Sequence, residues 1–363
     1  MRDASSHVED VTRRPMAGGR AGGGLERGVK PRPGLSLSDE VFAMLFILVL
    51  SLVIPLSLSI WVVSLVMNTA YDGTLYPISP WRLLFAIIAP MFITIRGLKK
   101  QSLDMSGALT GFVVGFVLTV SNLCFFSCLL AFFGISSWAT KYKAEKKRVL
   151  EEDFKEGGQR NWIQVLCNGG VATELAILYM IEFHPGETVI DFNTRYNACW
   201  LVLAVVAGLA SSCGDTLSSE LGTVLGGQPK LITTWQPVPK GTNGGVTGVG
   251  LACSLLGGLA VGVAYYLTIL LTNEPVSDSV YQWPMVLYAG AAGLLGSLLD
   301  SFLGATLQYS GFCDEQKKVV QYPSPTTKHI SGLPLLDNHG VNLVTCVVIS
   351  LTMPRLGYQL WPY

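Results

Sequence analysis

The stretch "YNACWLVLAVVAGLASSCGDTLSSELG" (196–222) decides the fold class. Its first part, residues 196–213, carries no charged side chain and is long enough to form a membrane-spanning helix. Asp215 and Glu220 follow at once, among small and hydroxyl side chains. An acid at that depth is costly unless it is paired or bound to a cation. The stretch therefore predicts a membrane span with a polar site at its end.

The composition of the whole chain agrees with a membrane protein. Half of the 363 residues are hydrophobic and only 14% are charged, whereas a soluble domain carries roughly 25% charged residues. The formal net charge is zero, so there is no overall field to attract nucleic acid and none is expected as a partner. The eight cysteines contain no CxxC pair, and we interpret them as small buried side chains.

Two regions are predicted along the chain. Residues 1–38 are rich in Gly, Arg, Ser and Pro and lack apolar periodicity, which predicts a disordered extension. Residues 39–363 are predicted to form a single multi-pass transmembrane domain. Run 105–140 has room for two short helices with a turn at "SN" (121–122), so we predict an all-α polytopic fold with about nine spans, several of them short or broken by Gly or Pro. The apolar runs are 41–67, 81–95, 105–140, 161–181, 196–213, 246–271, 283–299 and 338–354.

The loops between these runs alternate in charge. By the positive-inside rule, the basic loops are cytosolic, and a nine-span chain with a cytosolic N-terminus satisfies every loop. The location we expect is an endomembrane such as the endoplasmic reticulum. The basic loops are 96–101, 140–160, 214–245 and 306–337. The opposite loops, which lack lysine and carry acids, are 68–80, 182–195 and 272–282.

Two polar clusters on the predicted cytosolic side contain acids: "CGDTLSSELG" (213–222), and "GSLLDSFLGATLQ" (296–308) with Asp300. On one helix Asp215 and Glu220 would point about 140° apart, so either the helix breaks near Gly214 or the two acids face different partners. Magnesium suits carboxylates that leave room for water and phosphate oxygens, which makes Asp215 and Asp300 candidate metal ligands. Helix capping and interhelical hydrogen bonding are the alternative.

A third cluster is the glycine-rich turn "VPKGTNGGVTGVG" (238–250), which enters a span. Backbone N–H groups at such a turn, with a nearby lysine, suit a phosphate group. The turn lacks the Walker A pattern, and a purely structural turn is the alternative. Further along, small residues recur every four positions, which is typical of tight helix packing in lipid. The candidate phosphate-binding residues are Lys240, Gly241, Thr242, Gly244 and Gly245, and the small residues are Gly250, Ser254, Gly258 and Gly262.

The fourth cluster, "TKYKAEKK" (140–147), is basic. Most of its lysines suit anchoring at anionic headgroups. Lys141 begins the loop and could reach the predicted site.

The motifs "TKYKAEKK", "QVLCNGG", "CGDTLSSELG", "VPKGTNGGVTGVG" and "GSLLDSFLGATLQ" resemble the family that joins animal transmembrane protein nineteen to the plant phytyl-phosphate kinase of the vitamin E pathway. The match runs from about residue 40 to 353, and "LDNHGVN" looks like the animal branch. The resemblance implies a Mg²⁺-dependent kinase that converts a prenyl monophosphate to the diphosphate with CTP or ATP. The residues implied to be catalytic are Asp215, Glu220, Asp300 and Lys141.

Two other functions stay open on the sequence. A transporter or channel would place polar residues on both sides of the membrane and is often built from inverted repeats. The polar clusters lie on one predicted side only, and no clear inverted repeat is present. A non-catalytic membrane scaffold is the third possibility.

Overall fold

The computed structural model describes residues 78–150, 158–272 and 281–361, with isolated positions between 55 and 66. In this part of the chain, seven helices are long and apolar enough to cross a membrane, and an eighth apolar helix is shorter. The predicted all-α multi-pass class is confirmed, and about nine spans is roughly consistent with it. Run 41–67 lies outside the described residues apart from those isolated positions, and extension 1–38 lies wholly outside them.

Helices dominate the element order, and short strands occur in two places. The helices are α1 (Pro80–Lys99), α2 (Met105–Ser121), α3 (Leu123–Lys141), α4 (Ala144–Leu150), α5 (Trp162–Phe183), α6 (Tyr196–Leu225), α7 (Gly248–Thr272), α8 (Pro284–Leu307) and α9 (Asn338–Leu360). The strands are β1 (Lys230–Leu231), β2 (Gly245–Val246), β3 (Ser310–Cys313), β4 (Lys318–Val320) and β5 (Thr327–Ser331).

The predicted turn at 121–122 is confirmed. Asn122 follows the last residue of α2, and its side chain accepts a hydrogen bond of 2.8 Å from Cys124 N in the first turn of α3. Asp104, Asn161 and Asp337 cap α2, α5 and α9 in the same way. Each cap satisfies an N–H group that a helix start would otherwise leave unpaired.

Three predicted helix ends are wrong. Helix α6 continues beyond Cys213 to Leu225, α8 continues beyond residue 299 to Leu307, and α9 passes through Pro354 to Leu360. In α6 the hydroxyl of Thr216 bonds back to a carbonyl of its own helix, and Leu217 and Leu221 are buried one turn apart. The polar residues therefore do not end the helix, because their hydroxyls are satisfied by the backbone while the leucines keep the helical period.

The predicted loop 306–337 contains a three-stranded antiparallel sheet with β3 in the centre. Its strands are only three to five residues long. The backbone N–H groups of Leu333, Leu335 and Leu336 donate to carbonyls of the last turn of α8. The sheet and these bonds connect the end of α8 to the start of α9.

Loops that were predicted to share a side of the membrane contact each other. At the lysine-free end, Ile190 N of loop 182–195 donates to the Gln282 side chain of loop 272–282, and Glu187 Oε2 of loop 182–195 lies 2.6 Å from Arg82 Nη2 in the first turn of α1. At the basic end, the Lys141 ammonium of loop 140–160 donates to the carbonyl of Lys100 in loop 96–101. The alternating helix directions therefore agree with the loop-charge pattern, while the cytosolic assignment of the basic end stays a prediction.

Helix α6 lies at the centre of the bundle, with α3, α5, α7, α8 and α9 packed around it. Close backbone contacts make this possible. A Cβ atom on Gly214 would lie 2.7 Å from the carbonyl oxygen of Gly293 on α8, and one on Gly293 would lie 2.7 Å from that of Ser254 on α7. A Cβ on Gly258 would overlap the carbonyl oxygen of Ala289. The predicted packing role of the small-residue repeat on α7 is confirmed.

Gly258→Ala is expected to lower the free energy of unfolding by about 1–3 kcal/mol, because α7 and α8 must separate to make room for the methyl group. Gly248→Ala on the same helix is the control, since a Cβ there meets no atom within 4 Å. Thermal unfolding in detergent measures both variants. Equal midpoints for the two variants would show that this contact does not hold α7 against α8.

Glu187→Gln is expected to cost about 2 kcal/mol at neutral pH, because it removes the charge partner of Arg82. Burial alone would raise the pKa of Glu187, but hydrogen bonds from Arg82 and Leu123 N–H and the Arg82 charge hold that pKa below its ordinary value of 4.5. A depressed folded-state pKa gives stability that is present above pH 4.5 and is lost as the pH falls through the folded-state value.

The measurement is the thermal midpoint of wild type and Glu187→Gln from pH 7 down to pH 3. Glu182→Gln, at an exposed position of α5, is the control. A wild-type midpoint that falls no faster with acid than that of Glu187→Gln would contradict the stabilising role of the ion pair.

Candidate functional site

Asp215 on α6 and Asp300 on α8 lie on facing parts of the two helices, because the hydroxyl of Ser297, one turn before Asp300, lies 3.4 Å from the Asp215 carboxylate. Asp215 lies ten residues before the end of α6 and Asp300 seven before the end of α8. At 1.5 Å per residue, they stand about 15 and 10 Å inside the basic end of the bundle. The two predicted metal ligands therefore form one half-buried acidic pair.

Residues of α8 and α9 lie beside this pair. When the Asn342 amide is oriented so that its nitrogen faces the neighbouring oxygens, it donates to Asp300 Oδ2 over 3.1 Å and to Asn338 O over 3.0 Å. Thr345 Oγ1 lies 3.5 Å from the same carboxylate oxygen, and Ser297 Oγ lies 3.4 Å from Asp215 Oδ1. These two hydroxyl contacts are long and correspondingly weak. Sequence reasoning missed Asn342 and Thr345, although Asn342 ends the quoted motif "LDNHGVN".

Neither acid of the pair forms an ion pair with a basic residue in the described part of the chain. Two carboxylates inside a helix bundle repel each other, and both can stay ionised only with a cation beside them. No group of three or more His, Cys, Asp and Glu side chains within the described ranges is placed to hold a metal. Magnesium is often held by one or two carboxylates together with substrate phosphates and water. The donor set therefore fits a magnesium ion that is shared with phosphate groups.

Glu220 lies in a different contact. Helix α6 is unbroken at Gly214, so the two acids of the opening motif face different partners. The Glu220 carboxylate lies 2.6 Å from Lys147 Nζ and accepts a 2.7 Å hydrogen bond from Thr140 Oγ1. The Lys147 side chain is 1% exposed and also donates to the carbonyls of Ala139 and Thr140. This cluster, called the Lys147 clasp below, joins α3, α4 and α6.

Lys141 is directed to the turn after α1. Its ammonium donates to Ser102 Oγ over 2.9 Å and to the carbonyl of Lys100. The structure thus does not bring Lys141 and Glu220 into contact with the acidic pair.

The glycine-rich turn packs against α8 immediately after Asp300. Gly241 and Gly244 have positive φ angles of 90° and 75°, which side chains disfavour. A Cβ on Gly244 would lie 2.5 Å from the carbonyl oxygen of Ser301. Gly245 lies in β2. The turn therefore needs glycine to approach α8, and it borders the acidic pair.

The two polar side chains among the predicted phosphate-binding residues, Lys240 and Thr242, make local contacts. Lys240 Nζ donates to the carbonyls of Thr223 and Gly226, at 3.1 and 2.9 Å, and so caps the end of α6. The Thr242 hydroxyl donates to Pro239 O over 2.8 Å. Cations near a helix C-terminus complement its dipole, so the Lys240 contact stabilises α6.

Comparison with known proteins gives the family. The model of the integral membrane protein DUF92 family matches residues 88–350, and the chain therefore belongs to this family, in agreement with the resemblance of its motifs. No solved structure matches the chain.

Three relatives show the range of similarity. Protein PGR of Arabidopsis thaliana is 44% identical over 271 residues, which cover 74% of this chain and 94% of that protein. An uncharacterized membrane protein of Methanocaldococcus jannaschii is 28% identical over 236 residues, or 65% and 87% of the two chains. Protein VTE6, chloroplastic, of Arabidopsis thaliana is 27% identical over 176 residues, or 48% of each chain.

Glu220→Gln is expected to destabilise the protein by up to about 3 kcal/mol, because it leaves the Lys147 charge buried without its partner. The double variant Lys147→Met/Glu220→Gln should recover part of this loss, since it removes both charges. Lys146→Met, at the exposed neighbouring position, is the control. Thermal unfolding in detergent distinguishes these outcomes, and a double variant less stable than Glu220→Gln alone would argue against the clasp.

Proposed function

We propose that this DUF92 protein is a Mg²⁺-dependent kinase that transfers a phosphoryl group from CTP or ATP to a prenyl monophosphate and forms the diphosphate. The observation that carries the proposal is the acidic pair of Asp215 and Asp300, which is half-buried near the basic end of the bundle and has no basic partner among the described residues. The reaction takes place at the cytosolic face of an endomembrane such as the endoplasmic reticulum.

The depth of the pair suits such a substrate. A prenyl phosphate keeps its tail in hydrocarbon and its head near the interface, and the acids lie about 10–15 Å inside the helix ends. Phosphoryl transfer between phosphates depends mainly on positioning and charge neutralisation. Asp215 and Asp300 would hold the magnesium ion, which supplies positive charge to the phosphate oxygens when it is bound.

The reaction needs no protein nucleophile. An oxygen of the prenyl monophosphate bonds to the terminal phosphorus of the nucleotide, the bond from that phosphorus to the bridging oxygen breaks, and the nucleoside diphosphate leaves. Asn342 orients the Asp300 carboxylate through its 3.1 Å hydrogen bond. The protein thus contributes alignment and electrostatics rather than covalent chemistry.

The remaining predicted residues take supporting parts in the proposal. In the glycine-rich turn, residues 241–245, the N–H groups of Thr242, Asn243 and Gly245 already donate within the protein. The turn would therefore present the N–H groups of Gly241 and Gly244 to the nucleotide phosphates near Asp300. Lys240 would exchange its carbonyl contacts for a phosphate oxygen. Glu220 and Lys141 hold the ends of α3, α4 and α6 in place around the site through the contacts described above.

The motif resemblance to the plant phytyl-phosphate kinases supports the substrate class. It passes through all four polar clusters in order, including both acids of the pair.

Asp215→Asn and Asp300→Asn should each retain the fold, because asparagine is nearly isosteric with aspartate. Each should lower turnover at least about a thousandfold, as expected for the loss of one phosphate-clamping element. Asp314→Asn is the control, since its carboxylate is 56% exposed and pairs with Lys328 in the small sheet. The assay is diphosphate formation by purified protein from farnesyl or phytyl monophosphate and labelled CTP or ATP, over a range of Mg²⁺ concentrations.

Normal turnover of Asp215→Asn at low Mg²⁺ would show that this acid is not a metal ligand and would leave it a helix-packing role. If wild type forms no diphosphate but moves protons or ions in liposomes, the transporter alternative replaces the kinase. Two adjoining acids half-buried in a bundle would also suit such a function.

A further inference from the structure

A groove that is partly open at the surface, with a cavity volume of about 90 Å³, lies between α1, α2, α3 and α5. Most of its wall is apolar, with Pro90, Val114, Leu129 and Phe133 among the lining side chains. Along α3 it extends from Phe126 to Ser136, a distance of about 15 Å at the helical rise per residue. The groove therefore has the length and character to hold a hydrocarbon chain.

One end of the groove is polar. Arg160, Gln164, Asn168 and Thr216 line it there. Thr216 follows Asp215 directly in α6, so the two side chains point about 100° apart and the polar end lies one helix face away from the acidic pair. Asn168 also connects to α6, because its carbonyl accepts a 3.0 Å hydrogen bond from Ser212.

Arg160 brings a positive charge to this end. Its guanidinium donates to Ser137 Oγ over 3.2 Å and to Thr140 Oγ1 over 3.3 Å. Within the described ranges no carboxylate lies at ion-pair distance from it. A guanidinium has five N–H donors, so these two contacts leave donors for an anion, and a phosphate is a favoured bidentate partner.

Ser136 gives a second, independent sign of a ligand. Its side chain is fully buried and lines the groove. Apart from the weakly bonding thiol of Cys213 nearby, its hydroxyl has no hydrogen-bond partner in the described part of the chain. Buried hydroxyls are normally satisfied, and an unpaired one at a polar groove end is placed to bond a ligand oxygen.

We propose that the groove binds the tail of a single-chain prenyl or alkyl monophosphate and that Arg160, one helix face away from Asp215, binds its phosphate. The apolar wall and the single guanidinium match an amphiphile with a long chain and one anionic head. The inference deepens the proposed function and rests on it for the direction of the phosphate toward the acidic pair, but the binding can be measured without catalysis.

Gly169→Leu tests the tail site. Gly169 lines the groove, and a Cβ there meets only Val114 Cγ1, at 3.5 Å, so the rest of the leucine side chain would fill the groove. Gly170→Leu is the matched control one residue along, where a Cβ meets only Leu166 at 3.8 Å. Labelled farnesyl monophosphate is bound to the full-length protein in detergent. We expect about a tenfold or greater loss of affinity for Gly169→Leu, since several buried CH₂ groups lose their contacts, and a small change for Gly170→Leu.

Arg160→Gln tests the phosphate site. The variant should bind farnesyl monophosphate about tenfold or more weakly, while the binding of farnesol, which lacks the phosphate, stays as in wild type. Arg160→Lys should retain part of the affinity, because it keeps the charge without the bidentate geometry. Thermal unfolding is measured in parallel, since Arg160 also bonds to Ser137 and Thr140.

Unchanged monophosphate affinity in Gly169→Leu, or equal losses for farnesol and farnesyl monophosphate in Arg160→Gln, would overturn the inference. The kinase proposal fails separately. Binding that depends on Gly169 and Arg160, without diphosphate formation, supports the groove and refutes the kinase. Diphosphate formation that is unchanged in Gly169→Leu supports the kinase and refutes the groove as the tail site.

Discussion

The enclosure of α6 is the constraint on which the rest of this structure depends. The helix carries Asp215 into the bundle, where a carboxylate facing lipid would be prohibitively costly. Five other helices surround it, and its residues from 201 to 214 are all buried. Such close packing is possible because Gly214, Gly293 and Gly258 have no side chain at the contacts. The small residues at these contacts thus both allow the helices to pack closely and keep the acids away from lipid.

Charge is distributed unevenly at the basic end of the bundle. Lys147 pairs with Glu220, Lys240 caps α6, and Lys141 holds the turn after α1. Each of these cations is satisfied by contacts within the protein, whereas Asp215 and Asp300 repel each other and, among the described residues, have only neutral hydrogen-bond donors beside them. The unpaired negative charge is therefore concentrated at the acidic pair, near the groove end that Arg160 lines. This makes the acidic pair the best candidate for the catalytic site.

Much of the fold could be predicted because length and polarity decide it. The break at Asn122 and the pairing of loops at each end follow from apolar run lengths and lysine placement. The extension of α6 to Leu225 could not be predicted. The hydroxyl residues after Cys213 suggest the end of a span, but in the structure their hydroxyls bond to backbone carbonyls of the helix, so the helix continues through them. Helical phase left two possibilities for Asp215 and Glu220, a helix break or different partners, and the unbroken α6 decides for the second. Lys147 and Asn342 lie in motifs visible in the sequence, but only the tertiary structure shows that Lys147 pairs with Glu220 and that Asn342 lies beside Asp300.

The glycine contacts also determine which parts of the protein can move. Helices α6, α7 and α8 meet backbone to backbone at Gly214, Gly293 and Gly258, so sliding one past another would force main-chain atoms into overlap. These three helices therefore behave as a rigid block that carries both acids. Side chains rather than backbones separate α1, α3 and α5 along the groove, where rotamer changes suffice for displacement. Entry and exit of a bulky molecule would then be accommodated by a breathing motion of the groove wall, while the acidic pair stays stationary.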